Sequence, residues 1–272
     1  MSELTVRRLL VDLEAPFDRR WAGGDAFRTA FFNALSMSFP VGEQFFIDSV
    51  RAGLKRLPDG PRAALADEVQ GFVGQEATHR RIHALFNAQL AAQGHVNTWE
   101  PRALKRLRRL DGLDPRHHVA ATAATEHLTA ILAEFLLARP QALEGAEPRL
   151  RTLWLWHAAE ESEHRSTAFD LYRALGGNER WRRRYMTIVT VNFVVDVLRQ
   201  TARNLRHDGR LWAWDSWRSG ASFLLGRDGL LRVLRRPWRA YYAADFHPRR
   251  HGGDLGEHWL RDNAAAFTTV AR

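Results

Sequence analysis

Apolar residues recur along this chain at helical intervals, and stretches of alternating apolar and polar positions are scarce. The first helical stretch runs from about Asp25 to Leu57, with Asp25 placed to cap it and Pro58-Asp59-Gly60 to end it. Pro40 lies inside it and predicts a kink or a break near Phe39. A second stretch runs from about Pro61 to Gln93, followed by Gly94. The third starts at Asp114-Pro115 and stops before Pro140; the fourth begins near Glu147-Pro148 and reaches Gly176-Gly177. A fifth, about Glu179 to Leu205, holds the longest apolar run, Tyr185 to Leu198.

Four of these helices form two antiparallel pairs. The roughly 21 residues between the pairs, Gly94 to Asp114, can span about 70 Å when extended, against about 40–45 Å for a bundle of 30-residue helices. The pattern therefore predicts an all-α four-helix bundle with one long crossover, plus additional C-terminal helices. Residues 1–208 are assigned to the bundle and its fifth helix. Residues 209–272, rich in Trp and Arg, are assigned to a helical cover with a loose end after His251.

Composition narrows the chemistry. The chain has no cysteine, so thiolate metal sites, iron–sulfur clusters and catalytic thiols are excluded, and any metal must be held by His, Asp and Glu. The net charge is +9, carried by arginine with only Lys55 and Lys105 as lysines. That balance fits a solvated Arg-rich surface, and no specific nucleic-acid partner is expected. The basic aromatic segment Leu224 to Tyr242 is read as a cover over the bundle mouth, with peripheral contact to an anionic membrane as the alternative. Met1 to Arg20 lacks the apolar core of a secretory leader, and the longest apolar run is too short to span a bilayer, so a cytoplasmic protein is expected.

Two predicted helices carry Glu-x-x-His, as Glu76-Ala-Thr-His79 and Glu161-Ser-Glu-His164. This spacing sets a carboxylate and an imidazole on one helix face. With 15 Glu and 12 His in 272 residues, chance alone supplies roughly 0.7 such pairs, so position must carry the argument. The first helix carries Glu43 and the third Glu126, each among apolar neighbours. Both halves thus repeat one plan, a lone Glu on one helix and Glu-x-x-His on its partner. Two divalent ions held inside a helical bundle need this inventory of bridging carboxylates and terminal imidazoles.

On the fourth helix, His157, Glu161 and His164 share one narrow arc at 100° per residue. His157 is a candidate third imidazole ligand or a group that orients one. Glu160, at the edge of the arc, is a candidate supporting group and the candidate general base, whereas Glu163 falls off the arc and reads as a structural or solvated charge. His83 reads as an ordinary, partly buried histidine, although it lies on the right side of the second helix to ligate or orient. His127 points away. Asp48, Asp170 and Asn87 lie on turns adjoining the site and can tie down its imidazoles or nearby arginines.

The segments Phe72-Val-Gly-Gln-Glu76-Ala-Thr-His79-Arg-Arg-Ile-His83 and Trp156-His157-Ala-Ala-Glu160-Glu161-Ser-Glu163-His164-Arg-Ser-Thr-Ala-Phe-Asp170-Leu-Tyr resemble the family of predicted metal-dependent hydrolases, as does Phe246-His247-Pro248. The likeness runs from about Phe31 to Pro248 and implies a ferritin-like helical fold. The His-x-x-x-Glu-x-x-His pattern from His157 is also similar to that of di-iron arylamine N-oxygenases and haem-oxygenase-like oxidases.

The expected cofactor is a pair of divalent ions, iron first, with zinc or manganese as alternatives, held by Glu43, Glu76, His79, Glu126, His157, Glu161 and His164. The expected function is a di-iron oxidase or oxygenase using O₂ on a small, apolar, lipid-like organic substrate. The alternative is a dinuclear hydrolase in which metal-bound hydroxide attacks an ester, amide or phosphate and Glu160 acts as base. A homodimer is compatible with either.

Overall fold

The computed structural model describes residues 4–270. Ten α-helices and one short strand pair make up its regular elements, together with four single-turn 3₁₀ segments. Helix α1 (Ala26–Arg56) and α2 (Asp59–Ala92) form a hairpin turned at Leu57-Pro58, and α4 (Pro115–Ala138) and α5 (Pro148–Glu163) form a second. α4 also packs on α1, which closes the four-helix core. The ends obey local chemistry: Asp25 accepts from the Arg28 amide and Asp114 from the Arg116 amide, each capping the helix that follows.

Pro40 does not break α1. Proline brings no N–H, so the Ser36 carbonyl loses its helical donor. Asn87 Nδ2 from α2 replaces that donor at 2.9 Å, while the flanking carbonyls of Leu35 and Met37 receive Ser38 Oγ and Asn97 Nδ2. Side chains thus repair the weakened stretch.

The fourth predicted helix is two. α5 ends at Glu163, a turn carries His164 to Ser166, and α6 (Thr167–Ala174) follows. Arg165 stabilises the interruption, its Nε donating to the Ser162 carbonyl at 2.9 Å and its Nη1 to Glu134 and to the His251 carbonyl. The crossover is not an extended strap, because it folds α3 (Trp99–Leu107) and a 3₁₀ turn, Arg108–Leu110. Its basic residues have a partner: Arg102 Nε donates to Asp196 Oδ1 at 2.6 Å and Arg106 bonds Oδ2 of the same buried carboxylate.

That aspartate belongs to α7 (Glu179–His207), which lies across α1 and α4. α8 (Trp214–Leu225) rests on α1, and α9 (Leu230–Ala240) on α4. The described stretch after His251 is not loose. α10 (Leu255–Asp262) packs on α5, and β2 (Phe267–Thr269) pairs antiparallel with β1 (Arg7–Leu9) in the register Arg7 to Thr269. Among the described residues no helix is long and apolar enough to cross a membrane.

The buried apolar residues form two clusters. Along α1 the change from one to the other falls between Met37 and Phe46, along α2 between Val73 and Ile82, and past Ala159 it falls before Ala168. Glu43, the pair Glu76 and His79, and the pair Glu161 and His164 occupy those three gaps. A polar layer therefore crosses the interior between two apolar halves.

Candidate metal centre

Burying an ionised carboxylate without a partner costs several kcal/mol, yet Glu43, Glu76 and Glu161 lie in this layer with Glu126 beside it against His164, and none is more than 5% exposed. His79, His83, His157 and His164 are buried with them. Eight donor atoms of this group have no hydrogen-bond partner among the described residues: both oxygens of Glu43 and of Glu76, His79 Nδ1, Glu126 Oε1, Glu161 Oε2 and His164 Nε2. Native interiors hold only a few such atoms per 100 residues, and a concentration of eight in one layer is what a site able to hold cations presents.

Glu161 is the hub. Its Oε1 lies 2.9 Å from His157 Nε2, 3.6 Å from His79 Nδ1 and 3.9 Å from His164 Nε2. Glu76, His79, Glu161 and His164 each offer one ligand atom within 4.8 Å of the others, and Glu43, His83 and His157 form an adjoining set by the same measure. His164 Nε2 stands 3.4 Å from Glu76 Oε1, and its Nδ1 lies 2.9 Å from Glu126 Oε2. The interruption after α5 sets this ring between two carboxylates.

A line of hydrogen bonds fixes the tautomer of His157. Asn87 Nδ2 donates to the Ser36 carbonyl, so Asn87 Oδ1 accepts the Ser36 hydroxyl proton at 2.8 Å. Ser36 Oγ must then accept from His83 Nδ1, 2.9 Å away. Burial holds His83 well below the ordinary imidazole range, so the ring is neutral and its Nε2 accepts from His157 Nδ1 at 2.7 Å. That leaves His157 Nε2 as the nitrogen facing the centre, 2.9 Å from Glu161 Oε1 and 3.9 Å from Glu43 Oε1. His83 is thus not an isolated core histidine. It is the ring that orients His157.

His79 has its own support. Its Nε2 lies 2.9 Å from Glu160 Oε2, and Glu160 Oε1 accepts from Arg7 Nη1 at 3.0 Å. Arg7 also grips Glu163 through two bonds, and Gln75 Nε2 donates to the same carboxylate, which makes Glu163 a structural charge. Both oxygens of Glu160 are engaged, with none directed at the hub. A carboxylate behind a metal-facing imidazole is a common arrangement for orienting it. Arg7 reaches this place because β1 is paired to β2, so the two ends of the chain jointly position it.

The electrostatics agree with a site that lacks positive charge. Burial, reinforced by neighbouring carboxylates, pushes Glu43 and Glu76 well above the usual carboxylate range. Burial raises Glu126 to about 7 against the opposing pull of His164. It raises Glu160 to about 8 against Arg7. For His164, burial works against the charged form, but Glu161 and Glu126 outweigh it and lift the ring to about 9. Protons therefore hold the charge balance that divalent ions can supply.

Other expected supports lie elsewhere. Asp48 accepts from Gln44 on the exposed side of α1, and Asp170 accepts from His247 and Arg249, locking the Phe246-His247-Pro248 segment onto α6. His127 Nε2 donates to the Pro237 carbonyl, away from the centre. Arg7 and Ser36 were invisible in the sequence: Arg7 is 153 residues from Glu160, and neither sits in a recognisable motif.

An all-α bundle whose interior gathers carboxylates and imidazoles into groups able to hold metal is a metal-dependent protein. The chain belongs to the family of predicted metal-dependent hydrolases, whose pattern matches residues 5–252. Comparison with curated proteins and with solved structures finds no match.

Proposed function

We propose that the chain holds two divalent ions in a ferritin-like bundle and acts as a di-iron oxidase or oxygenase on a small apolar organic molecule. Glu76, His79 and His164 would hold one ion and Glu43 and His157 the other, with Glu161 shared between them and Glu126 against His164. This donor set of mixed imidazole and carboxylate suits iron(II). When bound, such a pair supplies the electrons for reducing O₂ beside an organic substrate.

The observation that carries the oxidative reading is what adjoins the hub. A small cavity of about 40 Å³ reaches His157 and Glu161, and its remaining walls are apolar side chains, Phe31, Phe32, Phe39 and Trp154 among them, with Thr129. Its apolar walls suit a diatomic gas or a hydrocarbon end, whereas a polar ester or phosphate would enter at a large desolvation cost. Phe31, Leu132 and Leu230 also wall a larger apolar groove of about 410 Å³ that opens between α7, α8 and α9, a route for an apolar substrate. In this reading the chain's own work is positional. Asn87, Ser36 and His83 hold the His157 ring, while Arg7 and Glu160 hold the His79 ring. The aromatic wall keeps water out.

The family description favours a second reading, metal-assisted hydrolysis. Glu160 would then be the general base, and would have to leave either His79 or Arg7 to do so. One experiment separates the two. The oxidative reading expects rapid O₂ uptake and a new near-ultraviolet absorption when the anaerobic Fe(II)-loaded protein meets O₂. Absence of uptake, together with ester or phosphate turnover by the zinc- or manganese-loaded protein without O₂, would establish hydrolysis instead.

A further inference from the structure

A second group of donors lies far from the polar layer, where the loop after α2 meets the end of α7. His95, His207 and Asp208 each present a ligand atom, all within 4.8 Å of one another. His95 is only 5% exposed, and neither of its ring nitrogens has a hydrogen-bond partner among the described residues. Its Nε2 stands 3.5 Å from Asp208 Oδ1, an atom that is likewise buried and unpartnered. Asn204 lies beside the ring and interacts with it weakly, while its amide donates to the Ala30 carbonyl and accepts from Gln200.

The third donor is oriented from outside. His207 Nε2 donates to the Gln93 carbonyl at 3.1 Å, which leaves Nδ1 bare, and its ring centroid lies 4.4 Å from that of His95. A ring held through one nitrogen by a backbone carbonyl is the usual support of a metal-ligating histidine. Gly94 permits the approach: it adopts φ +88, and a Cβ there would stand 3.1 Å from His207 Cε1. Both α2 and α7 end here, and their carbonyl ends favour a cation. Burial keeps His95 below the ordinary imidazole range, and its neutral ring is available as a ligand. Arg19, which donates to the same Gln93 carbonyl, is the charge that opposes a cation.

We propose that His95, His207 and Asp208 form a peripheral transition-metal site that ties the loop following α2 to the end of α7. Two imidazoles and one carboxylate, completed by water, suit zinc, whereas calcium and magnesium select all-oxygen sites. The inference does not depend on what the central layer does.

The test is the zinc content of the full chain after equilibration with Zn²⁺ and removal of free metal. His207→Ala, at an exposed position, and Asp208→Asn, at a half-buried one, are expected to retain one zinc ion fewer per chain than the parent, with unchanged circular dichroism. His207→Cys, which supplies a thiolate in place of the imidazole, is expected to restore the ion. Glu161→Ala, which strikes the central layer, is expected to leave the peripheral ion in place. Equal zinc in the parent and in His207→Ala would overturn the site, whatever the centre binds.

Discussion

The two helix hairpins carry the same donors and use them differently. In the hairpin of α1 and α2, Glu43, Glu76 and His79 sit on helices that run unbroken through the polar layer. In that of α4 and α5, the helix stops at Glu163, so His164 stands on a turn and Glu161, the carboxylate proposed to be shared, on the last turn before it. The first hairpin supplies ligands on rigid rods whose rings are braced from afar, by Glu160 and Arg7 on one side. The second supplies the hub and a ring that stands on a turn. A sequence repeat thus yields a functional asymmetry, because the backbone departs from the repeat at one point.

The sharpest way to break the comparison is to remove the hub. Glu161→Ala is expected to cost both ions, with central metal content falling to near zero and activity falling by more than the roughly 10–100-fold that loss of a group merely orienting a ligand costs. Glu43→Ala, on the first hairpin, is expected to lose one ion only. Metal analysis of the two variants decides the matter, and equal losses would mean that Glu161 is not shared.

Next in size is the brace on His79. Arg7→Met strips both Glu160 and Glu163 of their cation, leaving Glu160 buried with His79 and Glu163 with Gln75. Destabilisation of at least about 1.5–3 kcal/mol is expected, the worth of one hydrogen bond to a charged group, measured by urea unfolding of the metal-free protein. Met keeps the stem but not the guanidinium carbon that lies 5.6 Å from the Phe267 ring, and the pairing of β1 with β2, which runs through backbone atoms, is retained.

The pH dependence has a definite sign. Glu126 and Glu160 are raised in the folded state to about 7 and about 8, so the folded protein binds more protons than the unfolded chain between their ordinary range and those values. Their contribution to stability is complete below about pH 4.5 and is lost as pH rises towards 8. The metal-free protein should therefore melt at a lower temperature at pH 8 than at pH 6. His164, raised to about 9, shifts in the same direction, its contribution present below about pH 6.5 and lost towards 9. Metal loading should reverse the trend, because ions displace these protons and bind more tightly as pH rises.

What could be read from the sequence was what repeats locally. Helix ends at Asp25, Asp114 and Pro115 follow from capping chemistry, and the Glu-x-x-His pairs follow from helical spacing; the seven acidic and imidazole candidates do converge on one buried layer. What escaped was set by distant partners. The end of α5 depends on Arg165 meeting Glu134 and the His251 carbonyl, and the order of the chain's last residues depends on β1. The role of His83 depends on Ser36, 47 residues away. No window along the chain contains those pairs, so periodicity could not reveal them.

The smallest expected effect tests that last dependence. Pro40→Ala returns an N–H to the helix, where it can donate to the Ser36 carbonyl and compete with Asn87 Nδ2. Global stability should change by less than about 1 kcal/mol, since one hydrogen bond replaces another of similar worth. The amide of Asn87, freed from the carbonyl, no longer fixes which way the Ser36 hydroxyl points, and the tautomers of His83 and His157 loosen with it. Affinity for the ion assigned to Glu43 and His157 should therefore fall several-fold while the ion assigned to Glu76, His79 and His164 is unaffected, as sequential binding steps in calorimetry would resolve. A uniform loss at both steps would mean that Pro40 acts through the packing of α1 and not through the line of hydrogen bonds it makes possible.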